Sequence, residues 1–151
     1  SLLYETEALL ATELVNNLTT QLEFIVTQKF DKPLGESAAR AKGKRAEFWR
    51  SQQSIPSIVR NLESLKAFYQ LTFAADLKDK ILNQKINDAF DQAINATNQI
   101  DGPMYEAVNN PQRRQQVMDA RFLSERLYLI VLNNVPSKLG LTLSFNSLDG
   151  D

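Results

Sequence analysis

Apolar residues recur at helical spacing along most of the chain. Over residues 2–30, Leu3, Leu10, Leu14, Leu18, Leu22 and Ile25 share one face, with Glu13, Asn16, Asn17, Thr20 and Gln21 elsewhere on the wheel. This spacing predicts one amphipathic helix, on the order of 40 Å long at ~1.5 Å per residue, a bundle-length element. Phe30-Asp31-Lys32-Pro33-Leu34-Gly35 is expected to end it, because proline disfavours the helical region for its predecessor and glycine permits a turn. A second helix is predicted from Ser54, as cap, with Pro56 in the first turn and Ile55, Ile58, Val59, Leu62, Leu65, Tyr69 and Phe73 facing a core. After a short turn capped by Asp76 and ending near Ile81, the residues Leu82, Ile86, Phe90, Ala93, Ile94 and Thr97 predict a third, running to about Ile100. Asp101-Gly102-Pro103 stops it. Met104 to Val108 reads as a single turn.

Asn110 as cap and Pro111 at the first helical position open the fourth helix. Val117, Ala120, Leu123, Leu127, Ile130 and Val131 form its stripe, with Gln112, Arg113, Arg114, Gln116, Asp119 and Arg126 outside. Phe122, Tyr128 and Leu129 lie off the stripe, which predicts a helix covered on two sides, by the tail or by a partner domain. Pro136 and Gly140 are expected to break this run. Leu139, Leu141, Leu143 and Phe145 then alternate with Gly140, Thr142 and Ser144, so an extended segment would have one apolar face and is expected to fold back on the helices. The pattern therefore predicts an all-α, four-helix-bundle-like domain with an extended C-terminal tail, residues 1–151 forming one domain.

Residues 36–53 do not fit a helix. Gly43 interrupts a stretch of alanines, and Arg40, Lys42, Lys44 and Arg45 make a basic cluster expected to be a solvated loop. Phe48 and Trp49 follow it, the tryptophan expected as a core or interface anchor.

Composition narrows the function. The chain has 151 residues, 43% hydrophobic and 23% charged, ordinary for a globular domain. Seventeen Lys plus Arg against eighteen Asp plus Glu give a net charge of −1, so no general attraction to nucleic acid or to an anionic membrane is expected. No signal peptide or membrane-spanning apolar run is visible, and the chain, opening on Ser1, reads as a processed or truncated piece. Histidine and cysteine are both absent. That removes the usual neutral-pH base, the thiolate nucleophile and the nitrogen and sulfur ligands that suit zinc and iron. Oxygen ligands remain: Asn146, Asp149 and Asp151 close the tail, but their spacing does not complete an EF-hand loop. Asp88 with Asp91, and Glu5 with Glu7, read as solvated surface carboxylates.

Two stretches carry a resemblance. Lys32-Pro33-Leu34-Gly35 precedes Glu47-Phe48-Trp49-Arg50-Ser51-Gln52-Gln53-Ser54, and the chain closes on Leu139-Gly140, an apolar alternation and Phe-Asn-Ser-Leu-Asp-Gly-Asp. Their order and content resemble the imelysin-like family of bacterial cell-envelope proteins, which includes the iron-regulated protein A group and an insulin-cleaving membrane protease. The resemblance covers the C-terminal half of the family's pattern. The Gly-x-His-x-x-Glu motif of the proposed metal site belongs to the other half.

What the resemblance implies is a helical domain of a periplasmic or outer-envelope protein, a lipoprotein if anchored, linked to iron uptake. Its partner would be the N-terminal half of the same protein; membrane contact would come only through an anchor outside this chain, and nucleic acid is not a partner. Glu47, Trp49, Arg50 and Ser51, with Asn146, Asp149 and Asp151, would line or brace a site for a metal or small ligand at the seam between the halves. Iron or another divalent metal would be the cofactor of the intact protein, with none held by this chain alone. No catalytic residue is assigned. The alternatives are part of an imelysin-type peptidase, its catalytic groups supplied from elsewhere, and a non-catalytic structural or docking bundle.

Overall fold

A computed structural model describes residues 2–142. Leu143 to Asp151, which include Phe145, Asn146, Asp149 and Asp151, lie outside the described residues.

Four long helices dominate the described part: α1, Leu2–Phe24; α2, Ser54–Thr72; α3, Lys80–Asn98; and α4, Pro111–Lys138. Side-chain ties give their directions. Arg114, Arg121 and Tyr128 of α4 meet Gly35, Asp31 and Glu23 in that order, so α4 runs antiparallel to α1. Lys66 and Gln70 of α2 meet Asp91 and Asn87 of α3, and Gln92 of α3 meets Arg126 of α4, again antiparallel. The result is an up-down-up-down square in which each helix packs on its sequence neighbour and α4 closes on α1. Leu18, Leu22, Ile58, Leu62, Tyr69, Ile86, Phe90, Leu127 and Val131 fill the centre, each fully buried. No helix of the described residues is long and apolar enough to cross a membrane.

The first helix does not stop before Pro33. It widens into a π-helical stretch, Ile25–Asp31, and resumes as a final turn, Lys32–Leu34. Because the hydrogen-bonding pattern restarts there, Pro33 falls in a first turn, where its missing N–H costs least. Gly35, at φ 60°, ends the helix instead. Pro136 likewise lies inside α4, which continues to Lys138. It is buried and only two residues from the helix end, so packing offsets the lost hydrogen bond. Gly140 at φ 70° makes the stop, and the Leu141 N–H donates back to the Pro136 carbonyl. Leu139 and Leu141, the first apolar positions of the tail, pack against the core.

Two caps also differ from expectation. Asp76 does not cap the short turn, a helix over Ala74–Leu77 of which it is itself a member; Lys78 ends it at φ 52°, and Asp79 caps α3 by accepting from the Leu82 N–H. Ser54 caps nothing; its hydroxyl donates to the Glu47 carbonyl. Asn110 caps α4 as expected, accepting from Gln112 and Arg113.

Arg114, expected outside the apolar stripe, is buried. Its guanidinium donates to the carbonyls of Leu34 (2.6 Å), Val108 (3.1 Å) and Gly35 (3.3 Å). These are orphan acceptors, two of them at the end of the final turn Lys32–Leu34 that continues the first helix, where the helix dipole favours a cation. Arg114→Leu is expected to lower stability by roughly 3 kcal/mol, the worth of hydrogen bonds to a charged group plus stranded carbonyls. Urea unfolding checks it; an unchanged midpoint would show the carbonyls satisfied by other means.

Tyr69 is completely buried, donates its hydroxyl to Asn83 and has its pKa pushed up to about 12, first by burial and then by the Asp79 charge. The native state thus holds this proton more tightly than the unfolded chain, whose tyrosine titrates near ~10. The stability so gained is fully present below pH ~10 and is lost as pH rises towards about 12. Tyr69→Phe should flatten that part of the alkaline stability curve, and a curve identical to the parent's would contradict this.

Candidate functional site

The segment between α1 and α2 is a chain of tight turns, with 3-10 stretches at Ala38–Arg40, Gly43–Arg45 and Trp49–Ser51. Two glycines make its path possible. A side chain on Gly35 would meet the Arg40 carbonyl oxygen at 2.5 Å, and one on Gly43 would meet the Tyr105 carbonyl oxygen at 2.3 Å. Gly43 therefore presses the loop onto the short helix Met104–Ala107, and the Lys42 N–H donates to the Pro33 carbonyl at 2.8 Å. The start and the middle of the loop are thereby fixed on the end of the first helix and on this short helix.

Within this frame, Phe48 and Gln52 adopt left-handed conformations, at φ 62° and 61°. For a bulky aromatic residue this is strained, by about 1–2 kcal/mol. The surrounding hydrogen bonds hold it there. Trp49 N–H donates to Ala46, Gln53 N–H and the Ser51 hydroxyl donate to the Phe48 carbonyl, and the Ser54 hydroxyl donates to Glu47. Both hydroxyls are thus turned to backbone carbonyls and not to a base. The Phe48 ring gains little burial in return, being 53% exposed.

The turn separates the expected site residues onto two sides. Glu47 faces α1, where its carboxylate lies 3.4 Å from the Lys29 ammonium, a side chain set by the π-helical stretch. The pair borders a cleft of about 360 Å³ between α1 and α2, walled by Phe24, Ile25 and Leu65 and edged by Gln21, Asn61 and Ser64. Trp49 turns the other way. Half-buried, it meets the Tyr105 ring edge-on at 5.7 Å and has Lys44 and Arg50 over its ring at 5.3 and 5.2 Å. The tryptophan is an interface anchor between loop and turn, as its type suggested. Arg50 and Ser51 are exposed.

Asn146, Asp149 and Asp151 lie outside the described residues. The last described ones, Leu141 and Thr142, follow Lys138, which pairs with Asp79 at the far end of α2 and α3. To reach Arg50 from there the tail would run back along α2, 19 residues or on the order of 28 Å.

Sequence reasoning missed Lys29, Tyr105 and Arg114. Lys29 lies in the π-helical stretch, where its ammonium meets Glu47. Among the described residues no three His, Cys, Asp or Glu side chains converge to hold a metal. Glu47, with an ammonium beside it, is a poor first ligand, so the described residues do not fit a metal centre. Asp91 pairs with Lys66, and Asp88 accepts from Gln84, so neither aspartate acts with the other as an acid pair.

Fold and site together define an antiparallel helical bundle whose distinctive polar groups gather on one interhelical loop. The family model of imelysin matches residues 4–130, and the chain belongs to that family. The match takes in Pro33-Leu34-Gly35 and Glu47 to Ser54, while the tail follows its end. No curated protein and no solved structure matches the chain.

Phe48 separates strain from packing. Phe48→Gly should be neutral or stabilise by up to about 1 kcal/mol, because relief of left-handed strain slightly exceeds the entropy glycine loses. A loss above ~2 kcal/mol on urea unfolding, at the level of a core aromatic deletion, would show the ring to be structural.

Proposed function

We propose that this chain is a small-ligand-binding domain of an imelysin-family protein of the bacterial cell envelope, serving iron uptake, and that its ligand sits in the cleft at Lys29 and Glu47. The observation that carries the reading is this ion pair itself. It is set at the mouth of an apolar-walled cleft and leaves the Glu47 carboxylate 45% exposed. The Lys29 side chain is only 10% exposed, so Glu47 neutralises a largely buried ammonium and at the same time presents the more exposed half of the pair to the cleft. One cation and one anion side by side, above Phe24 and Leu65, match a zwitterionic ligand with an apolar body, such as a short peptide. The cleft volume of about 360 Å³ is of small-ligand size. A peptide-like ligand also suits the imelysin family, which is classed among peptidases. No catalytic role is assigned to Ser51 or Ser54. Trp49, Arg50 and Ser51 brace the turn that presents Glu47, and Asn146, Asp149 and Asp151, with the preceding half of the protein, would complete the enclosure.

Titration of the chain with glycyl-phenylalanine, read by amide shifts at Ile25, Ser64 and Leu65, tests the reading. Saturable shifts are expected. Glu47→Gln should weaken binding at least tenfold in a variant shown to be folded at the titration temperature, since an unpaired and largely buried Lys29 ammonium also lowers stability. Equal affinity in parent and variant would defeat the proposal. Sub-micromolar iron or zinc binding by the chain alone, surviving a chelator-washed control, would replace it with direct coordination.

A further inference from the structure

The basic cluster has a hollow in front of it. Lys42, Gly43, Lys44 and Arg45 on one wall, and Tyr105 and Asn109 on the other, border a space of about 310 Å³. Every ionised side chain lining it is a cation. The nearby carboxylates are already engaged: Glu36 with Arg40, Glu47 with Lys29, and Glu106 with Arg113. The Glu106 carboxylate, by hydrogen bonding first and charge second, pushes the Tyr105 pKa up. Among the described residues, Lys42, Lys44, Arg45 and Arg50 form no ion pair.

Four uncompensated cations within nine residues, in a chain of net charge −1, are a local segregation of charge and not general basicity. Holding them together is unfavourable through mutual repulsion, and a bound anion relieves it. The geometry is also fixed in advance, since Gly43 is buried against the Tyr105 backbone and a Cβ there would lie 2.3 Å from the Tyr105 carbonyl oxygen. The geometry points to a binding site for a small multivalent oxyanion of the pyrophosphate type, held by Lys42, Lys44 and Arg45. Arginine supplies two parallel donors to such a group, lysine a point charge, and the Asn109 amide a neutral donor. An anionic bilayer is the less favoured occupant, because the cations line a concavity and not a flat face. The site lies on the opposite side of the turn from the Lys29 and Glu47 cleft and does not depend on it.

Trp49 is the chain's single tryptophan and lies under Lys44, so emission from the whole protein reports on this hollow. Sodium pyrophosphate titrated at constant ionic strength should change that emission saturably, with amide shifts at Gly43, Lys44, Tyr105 and Asn109. The exposed double substitution Lys42→Gln with Arg45→Gln should raise Kd at least tenfold with an unchanged melting curve, while Lys85→Gln, on α3, leaves Kd unaltered. Three results would each overturn the site: a response reproduced by sodium chloride at matched ionic strength, equal Kd for the double variant, or binding to phosphatidylglycerol vesicles without any saturable pyrophosphate response.

Discussion

The buried guanidinium of Arg114 joins three parts of the chain that sequence keeps far apart. It takes the carbonyls of Leu34 and Gly35 at the end of the first helix and of Val108 after the short turn, from a position in the first turns of α4. A buried cation without a carboxylate is normally unfavourable, but here the acceptors would otherwise be stranded themselves, two of them at the negative end of a helix. Each group removes the other's penalty. The loop that carries Glu47 and Trp49 starts at Gly35 and rests on the Met104–Ala107 turn, so its foundation is the same set of atoms.

Away from that anchor, register depends on polar ties around an apolar centre. Asp31, Arg121 and Glu125, and Glu23 with Tyr128, run up the seam between α1 and α4; Asp79 and Lys138 tie the far end. The Leu82 N–H and the Lys138 ammonium hold the Asp79 carboxyl below its usual range. Half-exposed pairs of this sort contribute little each, and burial of the leucine, isoleucine and phenylalanine core supplies the bulk of the stabilisation. Their effect is to choose one sliding position among several that an apolar stripe would tolerate. The seam between α1 and α2 is the loosest of the four. That is where the cleft opens, with the core residue Ile25 at its base.

The helices were legible because they are governed by local rules. Asn110 and Pro111 opened α4 where a side-chain cap and a proline belong, and the stripe through Ile58, Leu62 and Tyr69 is buried as its period implies. Errors came where distant atoms decide. Pro33 and Pro136 read as breaks, yet a reset hydrogen-bond pattern and a nearby helix end accommodate them. Arg114 reads as solvent-facing because nothing near it in sequence says that Leu34 will offer a carbonyl 80 residues away. Phe122 and Leu129, off the stripe, are 64% and 41% exposed, whereas Tyr128 turns to Glu23 on α1, so the wide apolar face is only partly covered by described residues. Of the site, Glu47 and Trp49 were found by resemblance. Their partners Lys29 and Tyr105 could not be, since a π-helical widening and a glycine contact bring them in.

The arrangement of charge around Trp49 bears on how a link to iron could operate. A divalent ion approaching Glu47 meets the Lys29 ammonium 3.4 Å from the same carboxylate, and one approaching the other face meets Lys44 and Arg50 over the indole. The second approach is electrostatically opposed, whereas at the first the ammonium only offsets the attraction of the carboxylate. Hard cations seek several oxygens at once, which the described residues do not gather. A zwitterion meets a matched pair of charges at Lys29 and Glu47, and an anion meets lysine and arginine on the other face. Within the proposed function, any part this domain plays in iron handling would therefore run through the organic or oxyanionic portion of a ligand, with metal coordination left to groups beyond residues 2–142.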